Sequence, residues 1–294
     1  MNRIGDFGFI SGLALLFLQI GSTGLDFTSL EANIHLIPHS SLNLIAFLLF
    51  VGAMGKSAQI PLYIWLPDAM AGPTPVSALI HAATMLTAGV YMVSRFNFIY
   101  AITQEIVLFI AYIGAISALL AALIAMRQDD IKKILAYSTM SQLGYMFMAV
   151  GLGAYSYGIF HVFTHAFFKA LLFMGAGAII LALHHEQDIK KMGALKDKMP
   201  FIFIMMLIAT LAISGIPPFS GFFSKDAILN HLFASGEYLI FIMALLTAGL
   251  TSYYMFRLLL IVFISPSSKE HKLLPQAKLI QFTLLVLSIG ALFA

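Results

Sequence analysis

The 294-residue chain contains no cysteine. Disulfides, thiol redox chemistry and cysteine-ligated iron–sulfur clusters are therefore excluded within this polypeptide, and any electrons in a partner's reaction travel elsewhere. Charge is scarce as well. Asp, Glu, Lys and Arg make up 10% of residues against 61% hydrophobic, and the mean hydropathy is +0.95, where a soluble domain carries about 25% charged residues. Composition thus marks an integral membrane protein. Long polar stretches are missing, which leaves the loops no room for a soluble domain. The net charge of +3 carries no nucleic-acid signal and reflects lysines gathered on one side of a bilayer. No small-residue cleavage site with a soluble region follows the first apolar run, so no signal peptide is expected. HHEQDIKK at 184–191 lacks the HExxH arrangement. His161 and His165 stand at i, i+4 without a third ligand, so no metal site is expected.

What is present is a series of apolar runs. Hydropathy marks about nine membrane spans, at 7–21, 42–66, 75–98, 105–126, 131–151, 157–183, 201–233, 238–264 and from 277 onward. Basic residues sort onto alternate ends of this layout. One side receives Arg3, Arg127, Lys132, Lys133, Lys190, Lys191, Lys196, Lys198, Arg257, Lys269, Lys272 and Lys278; the other receives Arg95. By the positive-inside rule the amino terminus and the Lys190 loop are expected on the cytoplasmic side. Of the 16 basic residues, Lys56, Lys169 and Lys225 are left over, and all three fall inside spans.

The run at 157–183, YGIFHVFTHAFFKALLFMGAGAIILAL, is long enough to cross a hydrocarbon core of about 30 Å. His161, His165 and Lys169 recur along it at i, i+4 and i+8, within about 80° of one another. Lys169 falls near the bilayer midplane, where an ionised lysine costs on the order of 2.5–3.5 kcal/mol on insertion scales. One face of the helix is therefore wet or lined by protein. The functional reading is a proton-relay helix; the alternatives are a snorkelling lysine or a static buried ion pair. An amine suits a relay because a lysine removed from water releases its proton more readily than one in solution.

Two further stretches combine helix breakers with lysine. Pro61, Pro67, Pro73 and Pro75 follow Lys56, and Pro217–Pro218 with nearby glycines precedes Lys225. Proline removes a backbone donor and clashes with the preceding turn, so two interrupted helices are expected, a mark of transporters built from inverted repeats. Prolines that merely kink packed helices are the alternative. His81 lies on the third span between the lysine-bearing elements and is read as a bridging relay or a satisfied core histidine. In the fifth span Tyr137, Ser138, Ser141, Gln142 and Tyr145 share roughly one face, able to hold water or to join helices.

The stretch GKSAQIPLYIWLPDAMAGPTPVSALIHAATMLTAGVYMVSR at 55–95, together with DIKKILAYSTMSQLGYMF, FHVFTHAFFKALLF, HHEQDIKKMGAL and GFFSKDAIL, resembles the antiporter-like subunit L family of bacterial proton-translocating NADH:quinone oxidoreductase, respiratory complex I. The resemblance covers essentially the whole chain. GPTPVSALIHAATM is shared with the large subunit of multisubunit sodium/proton antiporters, while HHEQDIKKMG leans towards complex I.

The resemblance implies an all-α polytopic membrane helix bundle, part of an inverted-repeat antiporter-like fold with two broken helices. Residues 1–98 would form the carboxy-terminal part of a first repeat, 99–264 a second repeat, and 265–294 a loop and the start of a further helix. Lys56 and Lys225 match the lysines of the two broken helices, His81 the bridging histidine, and His161, His165 and Lys169 the central relay. Asp6 and Asp226 match acidic charge partners. The pattern also implies that early helices, the fifth-helix glutamate and a lateral helix lie outside this segment, which would then be a fragment lacking both ends. No cofactor is expected in this chain; NADH, flavin, iron–sulfur clusters and quinone are implied in partner subunits. Neighbouring antiporter-like subunits and the lipid bilayer are the implied partners, and the bacterial inner membrane the implied location. Alternatives are a subunit of a sodium/proton antiporter or membrane-bound hydrogenase, and a non-conducting structural remnant of a truncated transporter.

Overall fold

The computed structural model describes residues 1–21, 26–266, 273–275 and 277–294, with the backbone alone at 81–83. The helices run in chain order as α1 (Asn2–Ile20), α2 (Phe27–Asn33), α3 (His39–Lys56), α4 (Trp65–Asp68), α5 (Thr74–Ser77), α6 (Ala88–Arg95), α7 (Asn97–Tyr100), α8 (Gln104–Arg127), α9 (Ile131–Val150), α10 (Tyr155–Ala182), α11 (Pro200–Ser214), α12 (Ser220–Ala234), α13 (Tyr238–Phe263) and α14 (Lys278–Phe293). A π-helical stretch, Ala78–Thr84, leads from α5 towards α6. Among the described residues there is no strand; a single isolated bridge pairs Asp130 with Asp188.

Among the described residues five helices, α1, α3, α8, α10 and α13, are long and apolar enough to cross a membrane, and α11 and α14 are shorter apolar helices. The nine runs of the hydropathy layout thus do not become nine uninterrupted spans. The third run is divided among α5, the π-helical stretch and α6, and the seventh between α11 and α12. The fifth, α9, carries Lys132, Lys133 and a polar face, which lower its hydropathy although it lies at the centre of the bundle.

That centrality decides the architecture. Every residue of α9 except Lys133 and Tyr137 is buried. Its amino end is capped by the Asp130 carboxylate, which accepts from the Lys132 and Lys133 amides at 2.8 and 3.1 Å. α8 packs along it backbone to backbone. A Cβ on Gly144 would lie 2.5 Å from the Gly114 carbonyl, and one on Gly151 would lie 2.5 Å from the Ala111 amide. α1 and α3 meet the same way, with Gly5 over Gly55. Small residues that admit close approach of backbones are the usual seam between membrane helices, where burial from water supplies no drive. α10, α12 and α13 close around the remaining sides of α9.

Candidate functional site

The seventh run separates at its prolines. α11 ends at Ser214, Gly215 follows in the left-handed region at φ 75°, and α12 starts at Ser220. The last carbonyls of α11 have no helical donor, and one of them is taken by a side chain: Lys225 Nζ donates to Ile213 O at 3.1 Å. Its ammonium also lies 5.0 Å from the centre of the Tyr145 ring, within cation–π range. Lys225 is 3% exposed.

Lys169 on α10 is fully buried and turns towards α9, where its Nζ donates to Leu135 O at 3.1 Å and to the Ser138 hydroxyl. Between the two lysines lie the histidines. His161 is buried, with Nδ1 2.8 Å from Ser224 Oγ and Nε2 3.2 Å from Gln142 Oε1. Ser224 in turn is 2.8 Å from the Thr164 hydroxyl. His165, also buried, has its ring 6.3 Å from that of His161 and 5.4 Å from Phe168. The Tyr145 ring is 6.5 Å from His161, and its hydroxyl donates to Ala244 O. Contacts thus gather Ser224, Thr164, Gln142 and His165 around His161 in the interior of an apolar bundle, with Lys225 next to Ser224 in sequence and Lys169, bonded to Ser138, one turn beyond His165. No carboxylate pairs with either lysine among the described residues.

The chemistry open to this line follows from donor and acceptor counts. In the neutral His161 ring, Gln142 Oε1 takes the Nε2 proton and Nδ1 accepts from Ser224. When the ring gains a proton, Nδ1 becomes the donor and the Ser224 hydroxyl must turn to another acceptor, with Thr164 the nearest. The Tyr254 hydroxyl lies among those of Thr251, Ser138 and Ser141 beside this line, and the buried Gln142 Nε2 has no hydrogen-bond partner among the described residues; such a group is where ordered water is ordinarily held.

Lys56 closes one of the apolar helices, at the edge of the chain. It is the last residue of α3, its side chain is 43% exposed, and it pairs with Asp6 Oδ1 at 2.9 Å. The reason is the Gly5–Gly55 seam: α1 lies so close to α3 that Asp6 sits beside Lys56, while α6 leaves an open cavity of about 160 Å³ on the other flank. Among the described residues no hydrogen bond or ion pair joins Lys56 to the α9–α12 line. Asp226 makes no ion pair with Lys225 among the described residues. Adjacent residues on a helix diverge by about 100°, so Asp226 is exposed and accepts from the Asn230 amide at 2.9 Å. The side chain of His81 lies outside the described residues, as do Lys269 and Lys272. Tyr137 is only partly buried, whereas Ser138, Ser141, Gln142 and Tyr145 are buried. Ser224 and Thr164 were missed by the sequence reading. Their one signal was position: Ser224 precedes Lys225, and Thr164 lies one turn after His161.

Comparison with known proteins bears on what this arrangement belongs to. The model of the NADH:quinone oxidoreductase/Mrp antiporter transmembrane family matches residues 1–251. The chain belongs to that family. It is 50% identical over 296 aligned residues to the NADH-quinone oxidoreductase subunit L of Campylobacter jejuni, an alignment covering 100% of this chain and 49% of the relative. With subunit L of Rhodobacter capsulatus it shares 48% identity over 92% of this chain and 41% of the relative. The chain therefore spans about half the length of the curated relatives it matches. Among solved structures, a chain of the Mrp complex from Dietzia superposes with a TM-score of 0.86 at 29% identity, over 99% of this chain and 32% of that one. A chain of the archaeal membrane-bound sulfane sulfur reductase superposes at 0.91 with 24% identity, over 99% and 50%; at that identity the likeness speaks for the fold, which is the all-helical, antiporter-like membrane fold of the family.

Proposed function

We propose that this chain carries protons across a bacterial inner membrane as the subunit L-like part of a NADH:quinone oxidoreductase. The observation that supports this best is the buried line from Lys225 through Ser224, His161 and His165 to Lys169, in which both amines meet only neutral acceptors. A buried ionisable residue in a membrane helix is a candidate for ion movement rather than for stability. Protons would pass along this line by way of hydroxyls, imidazoles and ordered water. Lys56 with Asp6, and His81, would serve a first half-channel in residues 1–98, and Lys225 a second in 99–264. On this reading α11 and α12 are one broken helix, and the non-helical stretch after Lys56 interrupts another. The driving reaction, with its NADH, flavin, iron–sulfur clusters and quinone, would lie in partner subunits, and the Lys190 loop would face the cytoplasm.

The test is Lys169→Met in the intact complex, read in membrane vesicles with a pH-sensitive dye while NADH oxidation is followed in parallel. Fewer protons moved per NADH oxidised is the expected result. Unchanged pumping would remove Lys169 from the path and favour a non-conducting structural role. A second reading, a sodium/proton antiporter subunit, draws on the superposition with the Mrp complex. It predicts proton movement driven by an imposed sodium gradient and indifferent to NADH.

A further inference from the structure

At the Lys-rich end of the bundle, a cavity of about 380 Å³ opens between the 71–75 turn, the amino end of α9, the carboxy-terminal turns of α10, and α14. Lys132 lines it. The sequence reading sorted this lysine to the basic-rich side at the start of the fifth run, yet it is 5% exposed. Its Nζ donates to Gly72 O at 3.0 Å and, more weakly, to Met70 O at 3.4 Å. Among the described residues no carboxylate pairs with it. The acids nearest in sequence are engaged elsewhere: Asp130 caps α9 and Asp129 is held by Lys190 and Arg257. A buried cation that meets only neutral carbonyls is incompletely compensated.

The rest of the cavity is suited to a different kind of group. His185 and Gln187 stand with Lys132 at the helix ends, and below them the wall turns apolar along Met174, Leu181 and Ile280. A second cavity of about 360 Å³ adjoins it and shares Leu181, His185 and Ile280. Leu181 is 46% exposed on the outer surface, so the groove opens sideways. From Ala182 to Met174 the helix descends about 12 Å at 1.5 Å per residue, most of one leaflet of a core about 30 Å thick.

We propose that this groove binds an acidic phospholipid, its phosphate against Lys132, His185 and Gln187 and one acyl chain along Met174, Leu181 and Ile280. The site depends on the membrane fold and not on proton transport. It is tested with the purified chain in vesicles of equal parts phosphatidylglycerol and phosphatidylethanolamine, followed by native mass spectrometry of the retained lipid. Phosphatidylglycerol should be retained in preference, and Lys132→Gln should lower that preference roughly fivefold, as expected for one lysine at an anionic surface, while Lys132→Arg keeps it. Leu181→Trp, which fills the apolar wall and leaves the cation in place, should also expel the lipid and serves if Lys132→Gln does not fold. Equal retention of the two lipids, or retention unchanged in both Lys132→Gln and Leu181→Trp, overturns the proposal. So does displacement of the lipid by inorganic phosphate, which would make this a site for a soluble anion. Recovery of a polypeptide in the groove in place of lipid overturns it as well.

Discussion

Lys132, Lys169 and Lys225 share one solution to burial: each amine donates to a main-chain carbonyl. A carbonyl dipole satisfies the hydrogen bond without supplying a counter-charge, so each amine is paired only in part. At the same scale, packing around Lys225 is intolerant of change. A Cβ on Gly221 would lie 1.9 Å from the Ala212 carbonyl, backbone against backbone, whereas one on Gly249 would meet nothing within 4 Å. Gly221→Ala should therefore destabilise the chain by about 1–3 kcal/mol, as overpacking does. Gly249→Ala should be neutral or stabilise by up to ~1 kcal/mol through helix propensity. Thermal unfolding of both variants in detergent checks the contrast, and equal melting temperatures would refute it.

Between elements, the connection from α11 to α12 sets where Lys225 can reach. Gly215 holds the left-handed conformation, and a Cβ there would touch Lys225 Cδ at 3.4 Å. Gly215→Ala should cost about 1–2 kcal/mol for that backbone region, measured as a lower melting temperature, with α-helical content unchanged by circular dichroism. The α8–α9 seam is less forgiving. Gly144→Leu drives a branched side chain into the Gly114 carbonyl and Ala118, and should abolish a monodisperse folded species on size-exclusion chromatography. Prolines and glycines announce such places in sequence, but not what fills them. That no regular helix would run through Pro217–Pro218 followed from the missing backbone donor; that the Ile213 carbonyl would receive Lys225 did not, because the acceptor is set by how α12 packs against α11.

Across the whole molecule, one cluster joins elements distant in sequence. Asp129, between α8 and α9, meets Lys190 after α10 and Arg257 on α13, the latter at 2.7 Å. Next to it the Ile131 amide donates to Gln187 O at 3.0 Å and the Ile189 amide to Asp129 O at 2.8 Å. The hydrogen bond from Lys190, helped by that from Arg257, holds the Asp129 carboxyl below the usual carboxylate range. A depressed folded-state pKa gives stability that is fully present above the unfolded value, near 4, and lost as pH falls through the folded one. Asp129→Asn should thus lower the melting temperature by a constant amount between about pH 6 and 8, and the gap to the parent should close on acidification below about pH 4. A gap independent of pH would show that the carboxylate's charge is not what joins these loops. The membrane class, the family and the burial of Lys169 and Lys225 were open to the sequence reading, because apolar runs and isolated charges within them are local properties of the chain. Which helices would be continuous, that Lys56 would face Asp6 at an open edge, and that Ser224 would bridge to His161 were decided by tertiary structure. Each depends on how segments far apart in sequence pack, through close approaches such as Gly5 to Gly55 and Gly221 to Ala212, which no single segment encodes.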